Sequence, residues 1–283
     1  MHTREGILEI IKELFESVPG NVISPELALE EKLAGLRIFD APIAGFGSAD
    51  DELFERYKDP KAIGPWFLTP REWFPEGNTV VSMFFPFTEE IRAGNRLQKD
   101  LPSGGWLHGR IEGQAWLTAF MKAFSERLSE DGTKSCVPLF DPRWQQVQAG
   151  KGIEGYDCIN EKTFSSRWSE RHAAFVCGLG TFGLSKGVIT RKGMAGRFTS
   201  IIIPDRIEPD TRAYTGIYEW CVRCGACARR CPAEAITLEE GKDHNKCYAF
   251  QLKTGKLFYP RYGCGLCQTK VPCESRAPGL KQN

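Results

Sequence analysis

The feature that most constrains this chain is a run of closely spaced cysteines near its C-terminus. Residues 220–232 read WCVRCGACARRCP and have the spacing C-x₂-C-x₂-C-x₃-C-P; the cysteines are Cys221, Cys224, Cys227 and Cys231. Two intervening residues let a tight turn aim neighbouring thiolates at adjacent corners of one inorganic cube. The small Gly225 and Ala226 leave room for backbone N–H groups near its sulfurs. In such runs three thiolates bind one [4Fe–4S] cube and the fourth reaches a second cube.

A second cube needs more cysteines downstream, and four follow: Cys247, Cys264, Cys267 and Cys273. A zinc ribbon would prefer two separated C-x₂-C pairs and would leave four cysteines over. A disulfide framework belongs to small domains in oxidising compartments. The spacing, which is that of bacterial ferredoxins, therefore favours two iron–sulfur clusters. The remaining Cys136, Cys158 and Cys177 are predicted to pack as small hydrophobic residues, with a redox thiol as the alternative for each.

Length, charge and hydropathy exclude several other classes. The 283 residues suffice for one large domain, or for a medium and a small one. The net charge of +1 predicts neither a nucleic-acid nor a membrane partner. From residue 211 onward, twelve Lys and Arg face six Asp and Glu, an excess that can offset the negative clusters. With no N-terminal signal and no apolar run of about 18 residues, we expect a cytoplasmic protein.

Hydrophobic periodicity predicts a mixed set of helices and strands. Helices are expected at 4–18, with Thr3 as its cap, at about 110–129, and from about Ser166 to Cys177. Strands are expected at 79–87 and 134–140. A hairpin is expected between 187–190 and 198–203. The polar, proline-bearing segment 204–215 predicts a domain boundary, which gives domains of 1–210 and 211–283.

Two glycine-rich segments need separate interpretation. The segment GGWLHG (104–109) is predicted to be a loop that presents His108, a possible ligand or proton donor. The segment GLGTFG (178–183) matches the dinucleotide fingerprint G-x-G-x-x-G. That fingerprint requires a strand before the glycines and a helix after them, and here the predicted order is reversed. The sequence thus favours a helix C-cap over NAD binding.

Three blocks of the chain resemble epoxyqueuosine reductases and, more distantly, corrinoid reductive dehalogenases. They are PREWFPEGNTVVSMFFPF (70–87), SERHAAFVCGLGTFGLSKGVIT (169–190) and the cysteine block from Cys221 to Cys273. The resemblance implies an α+β fold, with a nitroreductase-like N-terminal α/β domain and a small C-terminal ferredoxin-like 2[4Fe–4S] domain. It also implies cobalamin, bound between the clusters and the N-terminal domain.

The resemblance also implies which residues bind each cofactor. Cys221, Cys224, Cys227 and Cys273 would hold one cube, and Cys231, Cys247, Cys264 and Cys267 the other. The segment Gly178, Leu179 and Gly180, with the loops around His108, would line the corrinoid pocket. No D-x-H-x-x-G motif is present, so a histidine below the cobalt is not expected.

This chain departs from the family pattern at three places. The family's proton-donating Asp falls at Phe164, and the nearest carboxylates are Asp157 and Glu161. The last two cysteines have the spacing C-x₅-C where the family has C-x₃-C-P. A helical-repeat tail is also missing, which makes tRNA a doubtful substrate. The candidate acids are therefore Tyr156, Glu161 and His108.

These observations predict a reductase that passes electrons from an external low-potential ferredoxin or flavodoxin, through two clusters, to a small molecule or corrinoid in a pocket. The alternative is a ferredoxin-like electron carrier without chemistry of its own. Against it, about 200 residues lie upstream of the clusters, more than a carrier needs. A third possibility, a tRNA-modifying enzyme, predicts salt-sensitive tRNA binding.

Overall fold

The computed structural model describes residues 1–148, 153, 156 and 158–280. Its α-helices are α1 (Arg4–Ser17), α2 (Glu52–Arg56), α3 (Pro70–Trp73), α4 (Glu89–Arg96), α5 (Gly104–Glu130), α6 (Glu170–Val176), α7 (Ala226–Arg229) and α8 (His244–Leu257). Its strands are β1 (Ile43–Ser48), β2 (Thr79–Pro86), β3 (Gln146–Gln148), β4 (Phe164–Ser166), β5 (Gly180–Phe182), β6 (Val188–Thr190), β7 (Gly196–Ile203), β8 (Ile236–Thr237) and β9 (Gly241–Lys242). Short 3₁₀ turns occupy Pro25–Leu27, Glu31–Leu33, Pro138–Phe140 and Leu266–Gln268.

The main sheet has three antiparallel strands in the order β1-β2-β7. Every residue of the central strand β2 is buried, because helices cover both faces of the sheet. Successive side chains point to opposite faces: Val81 and Met83 join the core beneath α1 and α5, whereas Val80 and Phe84 join cores that include residues of α6. A strand covered on both faces reads as one continuous apolar run, and 79–87 does so. Pro86 ends this strand, as the sequence allows.

The helix α1 is predicted correctly, and Thr3 caps it by accepting a hydrogen bond from the backbone N–H of Gly6 at 3.1 Å. The start of α5 is predicted wrongly. The segment 104–109 is its first turns, capped by the Ser103 side chain, and is not a loop. Its glycines serve close packing: a Cβ added at Gly109 would lie 2.7 Å from the Phe87 ring.

The predicted hairpin between 187–190 and 198–203 is wrong. Strand β6 pairs with β5, which lies inside the GLGTFG segment, and β7 pairs with the distant β2. The strand predicted at 134–140 is reduced to a single bridge, Cys136 with Ile202, followed by a 3₁₀ turn. The observed partners are remote in sequence, and local patterns do not encode them.

The C-terminal segment has little regular secondary structure, and hydrogen bonds hold it to the rest of the chain. Met194 N–H donates to the Cys273 carbonyl at 3.0 Å, and Trp220 N–H donates to Thr181 Oγ1 at 2.9 Å. An ion pair of 2.6 Å joins Arg261 to Glu112 of α5. Neither these contacts nor the strand order test the predicted boundary near residue 210 or the nitroreductase likeness, which stay predictions.

Among the described residues, no helix combines the length and the apolar character that crossing a bilayer requires.

Candidate functional site

The eight C-terminal cysteines lie around two separate cavities, four to each. Cys221, Cys224, Cys227 and Cys273 line a small cavity behind Met194. Cys231, Cys247, Cys264 and Cys267 line a much larger one. All eleven cysteines are free thiols. The two groups of four match the division that the family resemblance implies.

The loops that carry the first group require unusual backbone. Arg223 and Gly225 both have positive φ, of 48° and 70°, and Gly225 is the N-cap of α7. This left-handed turn folds the chain back so that neighbouring thiols converge. Burial and the neighbouring thiols of Cys227 and Cys221 raise the pKa of Cys273 to about 12. Thiols crowded in this way are stabilised when iron replaces their protons.

The second group is assembled from three distant stretches of chain. Burial and then the thiols of Cys267 and Cys247 raise the pKa of Cys264 to about 12. The backbone N–H of Ala235 donates to Cys231 Sγ at 3.3 Å, and Gln251 Nε2 donates to Cys247 Sγ at 3.5 Å. Hydrogen bonds to ligand sulfurs of this kind tune the potential of a cluster.

The two groups are neighbours. Cys227 lies in α7 and Cys231 follows two residues after its end, with its N–H bonded to the Ala228 carbonyl at 3.0 Å, so four residues of chain join the two groups. Burial raises the pKa of Cys227 to about 11, and the thiol that raises it most is Cys267 of the other group. Two cubes bound here would be adjacent. Among the described residues, no three His, Cys, Asp or Glu side chains form a group that could hold a single metal ion.

The large cavity has a volume of about 1650 Å³, beyond the roughly 300–1000 Å³ of ordinary ligand pockets. Its walls come from both parts of the chain and are rich in aromatic residues, among them Trp66, Trp106, Phe164, Tyr248 and Tyr262. The only charged lining residues in the described part of the chain are cations: Lys61, Arg110, Lys162, Arg171, Lys186, Arg197, Lys242 and Lys256. The cavity therefore combines aromatic surface with positive charge.

The three predicted acids do not meet in this cavity. His108 is fully buried in α5, where Leu29 N–H donates to its Nε2 at 3.0 Å and Nδ1 lies 3.2 Å from Glu112. Since Nε2 accepts, Nδ1–H is the donor, and burial lowers the pKa of this neutral imidazole. Glu161 is exposed, with its backbone carbonyl bonded to Asn245. Tyr156 packs edge-on against the wall residue Trp66, at 5.9 Å between ring centroids. Asp157 lies outside the described residues.

The predicted cofactor segment Gly178, Leu179 and Gly180 does not line the cavity either. Gly178 has φ of 76° and follows the C-terminus of α6, and Leu179 packs beside Phe84. A Cβ on Gly180 would lie 2.0 Å from the Ile189 carbonyl oxygen, so this glycine permits the β5–β6 pairing. The helix precedes the glycines and a strand follows them, which confirms the predicted order and the C-cap interpretation.

Two histidines of the wall were missed by the sequence reasoning. His244 stacks on Phe164 at 5.4 Å, with the rings nearly parallel, and its buried Nε2 has no hydrogen-bond partner among the described residues. Burial and the charge of Arg171 lower its pKa to about 2. His172 accepts or donates a 2.7 Å bond with Ser169, and burial lowers its pKa to about 3. No sequence motif marks either histidine, because the two residues lie far apart in the chain.

Comparison with known proteins agrees with this geometry. Residues 214–237 match the family described as 4Fe-4S binding domain, so the first cysteine run is an iron–sulfur motif. No curated protein sequence matches the chain.

Solved structures with the same fold are reductases. An epoxyqueuosine reductase from Streptococcus thermophilus is 14% identical, with a TM-score of 0.53 over 97% of this chain and 66% of the other. Another, solved with an epoxyqueuosine-modified tRNA-Tyr stem loop, is 16% identical, with a TM-score of 0.51 over 95% and 66%. A catabolic reductive dehalogenase is 15% identical, with a TM-score of 0.55 over 83% and 30%. The chain thus spans 66% of the length of the two epoxyqueuosine reductases and 30% of that of the dehalogenase, and it shares their fold.

Proposed function

From the epoxyqueuosine reductase fold and the two cysteine groups, we propose that this protein is an iron–sulfur reductase that delivers electrons to a molecule in the large cavity. One observation carries the proposal: Cys231, Cys247, Cys264 and Cys267 form part of the cavity wall. A cluster held by these thiols would touch the cavity contents directly. The outer group, which includes the exposed Cys224, would receive electrons from an external low-potential ferredoxin or flavodoxin.

The cysteines fit two [4Fe–4S] clusters. Each group has four thiols, and each cavity is lined by one group alone. The C-x₅-C spacing of Cys267 and Cys273 does not separate Cys273 from its group, because Cys273 lines the small cavity beside Cys221 and Cys224. Thiolate ligation also fits a reducing compartment such as the cytoplasm.

The cavity also fits a corrinoid with a substrate beside it. Its volume exceeds what a small substrate alone needs, and Trp66, Trp106 and Tyr248 offer flat surfaces for a macrocycle. A corrinoid there would supply a metal centre able to take up electrons from the nearer cluster and pass them to the substrate. Within the proposal, this chain's own residues hold the ligand, exclude water and provide protons.

The proton source is proposed among aromatic residues and histidines. No carboxylate of the described residues lines the cavity, and Phe164 stands where the resemblance places the acid. Tyr248 contacts Phe164 at 5.5 Å between centroids, so a proton delivered from its hydroxyl would enter near that position. His244 stacks on Phe164 at 5.4 Å, and because burial lowers its pKa it is neutral and would only relay a proton through its ring nitrogens. Of the three acids predicted from sequence, Tyr156 contacts the wall residue Trp66, and Glu161 lies between the lining residues Asn160 and Lys162.

A ferredoxin-like carrier remains the second candidate, and a measurement separates the two. We expect anaerobically purified protein to contain about eight irons per chain and to retain added cobalamin with a shifted absorption spectrum. Photoreduced clusters should then be reoxidised faster when cobalamin is bound. About eight irons with no cobalamin binding and no change in reoxidation would favour the carrier. Zinc, or no iron, would exclude both.

The tRNA-modifying alternative has its own test. One structural relative was solved with a tRNA stem loop, and a similar role here predicts tRNA binding that weakens as salt rises. Deletion of the gene should then also abolish queuosine. If neither effect is seen, the substrate is a different molecule.

A further inference from the structure

The charge of the cavity wall is one-sided. Eight Lys and Arg residues line it, and none of them forms an ion pair with a carboxylate among the described residues. Lys61, Lys162 and Lys256 are exposed to solvent, whereas the other five are partly buried, and a cation kept from water without an anion costs free energy. A wall of unpaired cations is therefore suited to bound negative charge, and the question is which cations serve the cluster and which serve the ligand.

One set of cations lies beside the second cysteine group. Burial raises the pKa of Cys267, and among charged groups Lys242 has the largest effect on that pKa, which it lowers. Burial lowers the pKa of Arg171, and the thiolate of Cys247 in turn raises it. Lys186 lies near both cations. A cube with four thiolates is anionic, so Arg171, Lys186 and Lys242 have a partner in the cluster itself. These residues need no further ligand.

Two further cations, Arg110 and Arg197, lie where α5, β7 and the loop at Tyr262 meet. Arg110 of α5 places its guanidinium 4.8 Å from the centre of the Tyr262 ring and donates to Tyr262 Oη at 3.3 Å. Arg197 of β7 donates to Gln114, but its buried Nε has no partner among the described residues. Burial and the nearby Arg110 lower the pKa of Arg197 to about 9. Helix α5, strand β7 and the loop at Tyr262 thus bring two cations and a phenol together.

We propose that Arg110, Arg197 and Tyr262 form an anion-binding subsite that holds a carboxylate or phosphate group of the molecule bound in the cavity. A planar guanidinium fork binds two oxygens of such a group at once, and two guanidinium groups beside each other repel until an anion lies between them. The inference rests on the proposed function, since it assigns the charge of the ligand at the electron-receiving site. The anionic group belongs either to the substrate or to the phosphodiester of a cofactor.

The test compares charged and neutral probes on anaerobically purified, cluster-loaded protein. By calorimetry, we expect benzoate and inorganic phosphate to bind, and benzamide, which has the shape of benzoate without its charge, to bind at least tenfold more weakly. Arg197→Gln should weaken benzoate at least tenfold while iron content stays unchanged, and Arg197→Lys should recover part of the loss. Arg110→Gln gives the same test if Arg197→Gln does not fold. Arg127→Gln, an exposed arginine on the same helix as Arg110, should match the wild type.

Equal binding of benzoate and benzamide, no binding of either anion, or unchanged benzoate affinity in both subsite variants would overturn the subsite. The two sources of the anion are separated by loading with cobalamin. Lost cobalt retention in Arg197→Gln identifies the cofactor phosphodiester, and weakened benzoate with unchanged cobalt identifies the substrate. Failure of the proposed function is seen separately, because protein whose clusters no ligand reoxidises can still bind anions through this subsite.

Discussion

At the residue scale, the eleven cysteines divide by their surroundings. Eight form two groups of four around two cavities, and Cys158, which is exposed and not packed as predicted, also lines the larger cavity. Cys177 is buried with its thiol donating to the Val80 carbonyl at 3.3 Å. Burial raises the pKa of Cys136 to about 11, which keeps it a neutral thiol. Packing is therefore a sufficient role for these two, as the sequence predicts.

Removing one thiol of the second group tests this division. Cys267→Ser is expected to lower the iron content from about eight to about four per chain, because one cube loses a ligand while the other keeps its four. Cys136→Ser should retain full iron. Iron quantification with low-temperature electron paramagnetic resonance of reduced protein measures both. An unchanged iron content in Cys267→Ser would contradict the assignment.

Glu170, at the start of α6, gives a pH-dependent prediction. Burial raises the pKa of its carboxyl to about 7, against the lowering effect of nearby Ser200 and Trp168. Because the folded pKa lies above the unfolded value, this group contributes stability that is fully present below pH 4.5 and is lost as pH rises to about 7. Glu170→Gln should remove that loss, which amounts to up to about 3 kcal/mol at pH 8.

The measurement is the free energy of unfolding of both proteins at several pH values under anaerobic conditions. The difference between the two curves isolates Glu170, since His172, whose pKa is lowered, changes stability in the opposite direction in both. The exposed Glu16 provides the control, and Glu16→Gln should run parallel to the wild type. Parallel curves for Glu170→Gln would refute the assignment.

At the element scale, close packing explains most glycines that look like loop signals. Gly265, between Cys264 and Cys267, has φ of 67°, and an added Cβ would lie 1.8 Å from the Trp106 ring. The 3₁₀ turn that presents Cys267 therefore lies directly against α5. This contact couples the second cysteine group to the helix that carries Arg110.

Substitution of Gly265 separates backbone strain from packing. Gly132 also has positive φ, of 76°, but a Cβ there would meet nothing within 4 Å. Gly132→Ala is expected to cost only the left-handed penalty of about 1–2 kcal/mol. Gly265→Ala should cost more and should also lose iron, because the turn must move away from Trp106. Urea unfolding and iron analysis of the two variants measure the difference; similar values would show that the contact is unimportant.

At the scale of the whole molecule, the C-terminal segment closes one side of the cavity with little regular structure of its own. Among the elements of residues 211–280, which the structure describes, only α8 exceeds four residues. Burial and neighbouring thiols raise the pKa of Cys264 and Cys273 in this segment. Such a crowded group of cysteines is more stable with iron bound than as free thiols. Under the proposed function, bound clusters would therefore maintain the shape of this side of the cavity.

Removing iron should unfold this segment before the sheet. After chelation under anaerobic conditions, amide hydrogen exchange is expected to increase strongly in α7 and in the turn at Leu266–Gln268. The amides of β2, which is buried on both faces, should keep their protection and serve as the internal control. Unchanged exchange in the C-terminal segment would show that it folds without metal.

Much of the local structure was predictable because it depends on neighbours in sequence. The cap at Thr3, the buried strand at 79–87 and the helix before Gly178 follow from side-chain period and capping chemistry. The start of α5 was missed because its glycines serve packing against Phe87, a contact that no local pattern reports. The hairpin was wrong for the same reason, since β7 pairs with a strand more than 100 residues away.

The sequence by itself determined the cluster chemistry, because the spacing of four cysteines in one turn is a local property and marks the thiolates without any knowledge of the fold. Only the tertiary structure decided what surrounds them. Cys231, Cys247, Cys264 and Cys267 share a cavity with Arg110 and Arg197 because distant elements meet there. His108 and the Gly178 segment fall outside it, since burial and hydrogen-bond partners are set by long-range packing and not by residue type.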